Sequence, residues 1–216
     1  VSLSQKGNHG LTAEGYDRAL RSLARRDRDF AAILKRHGAP PMWSRRPGFP
    51  TLIHIILEQQ VSLASARAAF HRLRAAVERL TPSSFLELSD RRLKQIGFSR
   101  QKTRYGRELA QAILDGRLRL GALSGLPDDD VRDELLRIKG IGSWSVDIYL
   151  LMALKRPDVW PRGDLALVTA AREVKRLRSR PTAEEFERLG EAWKPWRAVA
   201  ARFLWHHYLS TPRRRR

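Results

Sequence analysis

The chain contains no cysteine, which excludes a disulfide framework, a thiolate zinc site and a cysteine-ligated iron–sulfur cluster. Histidine is scarce as well: six are present, His206 and His207 are adjacent, and the others are scattered without the i, i+4 spacing that suits metal ligation on a helix. We therefore expect no metal site. No apolar run approaches the roughly 20 residues needed to span a bilayer, and the N-terminus lacks a charged-then-apolar leader pattern. The expectation is a soluble cytoplasmic protein, nucleoid-associated if its source is bacterial. Alternating apolar and polar residues of strand length are missing too, which leaves an all-α fold.

Acidic residues are in short supply. Lysine and arginine number 42 against 23 aspartates and glutamates, a net charge of +19, and discounting the terminal Arg213–Arg216 still leaves +15. The excess belongs to the body of the chain and points to a polyanionic partner, nucleic acid above all. A membrane surface fits less well, because no strongly basic amphipathic helix carries exposed aromatic residues. The 216 residues suffice for one large core or two small lobes.

Helical periodicity runs from end to end. Apolar sets occur at Tyr16, Leu20 and Leu23; at Phe30, Ile33 and Leu34; at Ala66, Ala69, Phe70, Leu73 and Val77; and at Tyr105, Leu109, Ala112 and Ile113. A last set comprises Trp196, Val199, Ala200, Phe203 and His207. Helix starts are expected at Thr81-Pro82, a capping hydroxyl before proline, and at Thr182 with Glu185, a capping box. Roughly ten short helices result. Breaks fall at 38–50, 121–130 and 157–163. The arginine-rich end, 211–216, is expected to be a disordered tail.

The most informative stretch is Leu135-Leu136-Arg137-Ile138-Lys139-Gly140-Ile141-Gly142-Ser143-Trp144-Ser145-Val146-Asp147, two helical patterns joined by a hairpin. Gly140 and Gly142 permit positive φ and remove side-chain bulk, so backbone N–H groups can approach a phosphate at the start of the next helix. Ile141 anchors the turn and Lys139 adds a point charge beside it. This is the layout of a helix-hairpin-helix, which grips the DNA backbone without reading bases. A proline-bounded loop, 157–163, then delivers Asp164 to the start of another helix. Aspartate there is also a standard N-cap. Asp128, Asp129 and Asp130 are expected in the first turn of the first hairpin helix, Asp147 in an exposed or hydrogen-bonded place, and Arg172, Lys175, Arg176 and Arg178 on a solvated face.

Hairpin, helix, Gly/Pro-rich loop and aspartate in this order resemble the HhH-GPD superfamily of base-excision DNA glycosylases. Trp193-Lys194-Pro195-Trp196-Arg197 and Ile56-Leu57-Glu58-Gln59-Gln60-Val61-Ser62 are similar to segments of its 3-methyladenine DNA glycosylase II (AlkA-like) branch. The resemblance covers about Phe49 to Tyr208. It implies a two-lobed helical fold: a lobe over 51–155 ending in the hairpin motif (about 132–155), and a second lobe pairing 1–50 with 156–210.

It also implies roles. Asp164 is the catalytic carboxylate; Trp144, Trp196 and Ile148 are the base pocket, with Tyr149 turned elsewhere. Lys139, Gly140, Ile141 and Gly142 hold DNA, Gln60 fills the gap left by the flipped base, and Phe98 or Arg100 wedges the minor groove. Strand-cleaving members carry a lysine nucleophile where this chain has Trp144, so the resemblance implies a monofunctional hydrolase releasing alkylated purines from double-stranded DNA. It would act as a monomer and without a cofactor, a monovalent cation in the hairpin being left open. Two alternatives stay open: a glycosylase for deaminated or oxidised bases, and a non-catalytic DNA-binding module.

Overall fold

The computed structural model describes residues 10–211; of the expected tail, only Thr211 lies within the described residues. Twelve α-helices follow one another and no strand occurs among the described residues. They are α1 (Ala13–Arg26), α2 (Arg28–His37), α3 (Phe49–Glu58), α4 (Leu63–Ala75), α5 (Pro82–Glu87), α6 (Asp90–Ile96) and α7 (Arg100–Leu114). After a 3₁₀ turn at Leu123–Gly125 come α8 (Asp128–Leu136), α9 (Ser143–Ile148), α10 (Leu165–Val174), α11 (Ala183–Glu191) and α12 (Arg197–Ser210). The end of α9 passes directly into a π-turn at Tyr149–Ala153. The expected caps are present: Thr81 accepts from the Ser84 N–H to start α5, and Thr182 and Glu185 form a reciprocal capping box at α11.

The chain separates into two compact units, Arg45–Tyr149 and the combination of the flanking segments that end at Ser44 and begin at Leu150. The divisions fall a few residues before the expected ones, and local bonds explain both. Arg45 makes a two-bond ion pair with Glu58 at the end of α3 (2.7 and 2.8 Å), and Thr51 donates to the Arg46 carbonyl at 2.6 Å. These contacts hold residues 45–48 to the helical unit that follows. At the other division, Arg156 N–H bonds back to Leu150 and Leu11 N–H bonds to the Lys155 carbonyl, which tie 150–156 to the flanking unit.

In the Arg45–Tyr149 unit, α3 is buried nearly all round, with Thr51, His54 and Glu58 as its polar stripe, and packs against α4, α7 and α9. Phe49, Ile53, Phe85, Leu109 and Val146 are among its fully buried core residues, each contributing roughly 1.5–3 kcal/mol. In the flanking unit, α12 packs on α10 and on α2, and Phe30 stacks on Phe203 with centroids 4.7 Å apart. Arg156, Arg202 and Lys175 bring cationic side chains into that interior. Lys175 was expected on a solvated face, but it reaches Asp27 at 2.7 Å and Asp29 at 2.8 Å and is only 18% exposed; Arg172, Arg176 and Arg178 are exposed. Arg202 is wholly buried and donates to the carbonyls of Met42, Ala198 and Leu151. Burial pulls its pKa down to about 10, so it is carried inside as a cation at neutral pH.

Candidate active site

Asp164 closes the loop before α10 and is the N-cap of that helix. Its Oδ1 accepts the Leu167 N–H at 2.9 Å, satisfying one of the donors that a helix start leaves without an intrahelical partner. The same oxygen accepts from the indole Nε1 of Trp205 on α12, at 3.3 Å. The side chain is thus held by its own helix and by a neighbour, with 9% of the residue exposed. The positive end of the α10 dipole complements a carboxylate there. Capping and chemistry are compatible, because the cap fixes the carboxylate in place without consuming its charge.

Trp205 was not among the residues expected at the site; Trp196 was. The structure places Trp196 at the N-cap of α12, about 13 Å along the helix axis from Trp205 by helical rise, and does not bring it to Asp164. The set Trp196, Val199, Ala200, Phe203 and His207 is one face of α12. Ala198, Ala201, Arg202 and Trp205 are buried as well, so the helix is enclosed nearly all round and a single stripe was a misleading guide. Beside Trp205, with its ring edge-on at 6.5 Å, lies Trp43, from the loop before α3.

In the other unit, α8 and α9 form the helix-hairpin-helix. Ile138 and Ile141 are buried and anchor the turn, while Lys139 and Gly142 are exposed. Gly140 has φ 98°, and a Cβ on it would clash with Cβ, Cγ and Cδ1 of Tyr105, so only glycine fits. Gly142 departs from expectation: at φ −99°, ψ 176° it is ordinary extended backbone. Its value lies in bareness, since a Cβ there would meet nothing within 4 Å. Asp128, Asp129 and Asp130 occupy the first turn of α8, and Asp147 is buried in an ion pair with Arg132 at 2.6 Å.

The hairpin is tied to α3 by a residue that the sequence reading passed over. Gln59 donates through Nε2 to the Gly140 carbonyl at 2.8 Å and to Ser145 Oγ at 3.0 Å. Gln60, the expected gap-filling residue, follows it directly, exposed and in a left-handed conformation with φ 57°. Lys102, at the start of α7, donates to the Leu57 carbonyl at 2.7 Å, and burial lowers its pKa. These bonds knit the end of α3, the start of α7 and the hairpin together.

Trp144 is half-buried in the first turn of α9. Two other expectations are corrected. Ile148, one turn further along, is 2% exposed and belongs to the core rather than to a pocket wall. Phe98 is 3% exposed and packs against Phe85 at 5.6 Å, so it caps the core and is not presented to a groove. Arg100 is exposed at the first position of α7 and remains the groove candidate of that loop. Tyr149 is buried, with its hydroxyl accepting from Gly48 N–H at 3.2 Å. No group of three or more potential ligands is arranged to hold a metal ion among the described residues, and no described helix is long and apolar enough to cross a membrane.

Residues 53–196 match the family model of the HhH-GPD superfamily base excision DNA repair proteins. A Bacillus subtilis relative, YfjP, is 26% identical over 184 residues, which are 82% of this chain and 64% of YfjP. The chain therefore spans less than two thirds of that relative. The alkylbase DNA glycosidase-like protein mag2 of Schizosaccharomyces pombe is 27% identical over 88% of this chain and 92% of its own. Among solved structures, the S. pombe 3-methyladenine DNA glycosylase Mag1 in complex with abasic DNA superposes with a TM-score of 0.79 at 25% identity, covering 87% of this chain and 95% of that one.

Proposed function

Because this chain belongs to the HhH-GPD superfamily of base excision DNA repair proteins, we propose that it is a monofunctional DNA glycosylase that hydrolyses the N-glycosidic bond of alkylated purines in double-stranded DNA. The observation that carries the reading is the double anchoring of Asp164 by Leu167 N–H and Trp205 Nε1. An enzyme of this kind must extract the damaged nucleotide, hold the base and stabilise positive charge growing on the sugar. A carboxylate fixed before the reaction begins stabilises that charge without reorganising, and can orient the attacking water.

An alkylated purine is itself cationic and leaves readily, so the chemistry draws on no cofactor and asks little of a general acid. Electron-rich aromatic faces suit recognition of such a base; Trp144 is the half-buried candidate of the hairpin. The exposed hairpin, with Lys139 and the bare Gly142, supplies a grip on the phosphate backbone, and the +19 net charge suits a polyanion. Trp144 also stands where strand-cleaving relatives carry their lysine, which supports hydrolysis without lyase chemistry. The names of mag2 and Mag1 support the alkylated-base class.

The test is direct. Methylated and deaminated duplexes are incubated with the protein and the released bases identified, with and without alkaline cleavage of the product strand. Methylpurine release with strand breaks only after alkali is expected. Release confined to uracil or hypoxanthine, or breaks without alkali, would overturn the assignment.

A further inference from the structure

Trp43 lies in the irregular segment between α2 and α3, within the same unit as Asp164. Its φ is 47°, a left-handed conformation that a bulky aromatic residue adopts only when its surroundings impose it. The surroundings here are specific. Tyr16 Oη donates to the Pro40 carbonyl at 2.7 Å, and Arg202 Nε donates to the Met42 carbonyl at 2.7 Å. Arg202 is fully buried, with its guanidinium 5.8 Å from the Tyr16 ring. Two interior polar side chains therefore clamp the backbone immediately ahead of Trp43.

The indole that this clamp positions is not itself buried. Trp43 is partly exposed; its ring lies 6.5 Å from that of Trp205 at 74° and 6.4 Å from that of His206 at 60°, while Trp205 bonds to Asp164. A buried cation and a strained backbone together hold a partly exposed indole one ring away from the carboxylate. We propose that Trp43 is a specificity-determining residue whose indole face receives the cationic alkylated base. The inference rests on the glycosylase reading above and deepens it. The attraction of a π-face for a cation distinguishes a methylated purine from its neutral parent, and no other chemistry of tryptophan is needed.

The experiment compares Trp43→Phe, which keeps a π-face, with Trp43→Leu, which keeps apolar bulk without one; both strain the backbone alike. Single-turnover release of 7-methylguanine from a defined duplex is measured, together with affinity for the same duplex carrying a tetrahydrofuran abasic site. We expect Trp43→Leu to slow release about tenfold, Trp43→Phe to stay within about threefold of the parent, and both to bind the abasic duplex as the parent does. Parental rates in Trp43→Leu would overturn the proposal. Equal slowing in both variants with weakened abasic binding would also overturn it, by assigning Trp43 a purely structural role. A parent protein inert on methylated DNA would instead remove the glycosylase reading, and the inference with it.

Discussion

The indole N–H of Trp205 on α12 points at Oδ1 of Asp164, the N-cap of α10, at 3.3 Å. Two helices that pack on each other thus share one carboxylate, and its rotation is set by both. Replacing Trp205 by Phe keeps the ring and deletes the donor. Hydrogen bonds to charged groups contribute about 1.5–3 kcal/mol, so we expect single-turnover base release to slow roughly 10- to 100-fold and the thermal midpoint to fall by several degrees, on the order of 2–4 °C per kcal/mol. Unchanged rates would show that the bond has no part in positioning the carboxylate.

Gly140 and Tyr105 make a second exacting pair. Gly140→Ala drives a methyl group into Cβ, Cγ and Cδ1 of Tyr105 at a backbone φ of 98°. We expect destabilisation of more than about 1 kcal/mol and weaker binding to undamaged duplex, read by thermal denaturation and fluorescence anisotropy. Parental values in both would mean that the hairpin relaxes without consequence.

The neighbouring Phe98 and Arg100 separate fold from binding. Phe98→Ala should cost about 3–5 kcal/mol, as removal of a buried aromatic does. Arg100→Ala should leave stability unchanged and reduce the salt dependence of DNA binding by a slope of about 0.9 if it neutralises one phosphate. Loss of salt dependence in Phe98→Ala with intact stability would reverse the roles.

The sequence made the all-helical architecture, the caps at Thr81 and Thr182 and the hairpin visible, because periodicity, capping chemistry and glycine placement are local signals. The N-cap place of Asp164 was legible for the same reason, as a carboxylate set between a Gly/Pro loop and an apolar helix. The aromatic neighbours were not. Trp205 hides in a helix enclosed nearly all round, and Trp43 stands in a loop with no periodicity to mark it. Gln59 lay within a segment already singled out, but only its bonds to Gly140 and Ser145 distinguish it from Gln60. The burial of Phe98 and Ile148 was not legible, because burial is a property of packing between elements, which spacing along one element does not encode.

Asp27 links pH to the stability of the flanking unit. Burial opposes ionisation of its carboxyl, but hydrogen bonds from Lys175 and Trp193 outweigh it and leave the pKa below the usual value. Its contribution is present above the unfolded carboxylate pKa of about 3.9 and is lost as pH falls through the lower folded value. Urea unfolding between pH 3 and 7 should show a steeper acid loss for the parent than for Asp27→Asn. Parallel curves would exclude Asp27 as the source.

Asp164→Asn tests the central claim most directly. Asparagine caps a helix nearly as well as aspartate, so the fold and DNA affinity should survive while the negative charge is removed. Single-turnover release of methylpurine from a defined duplex should fall by a factor of about 10³ or more, roughly 4 kcal/mol of transition-state stabilisation. Release at the parental rate by a folded, DNA-binding Asp164→Asn protein would contradict the account.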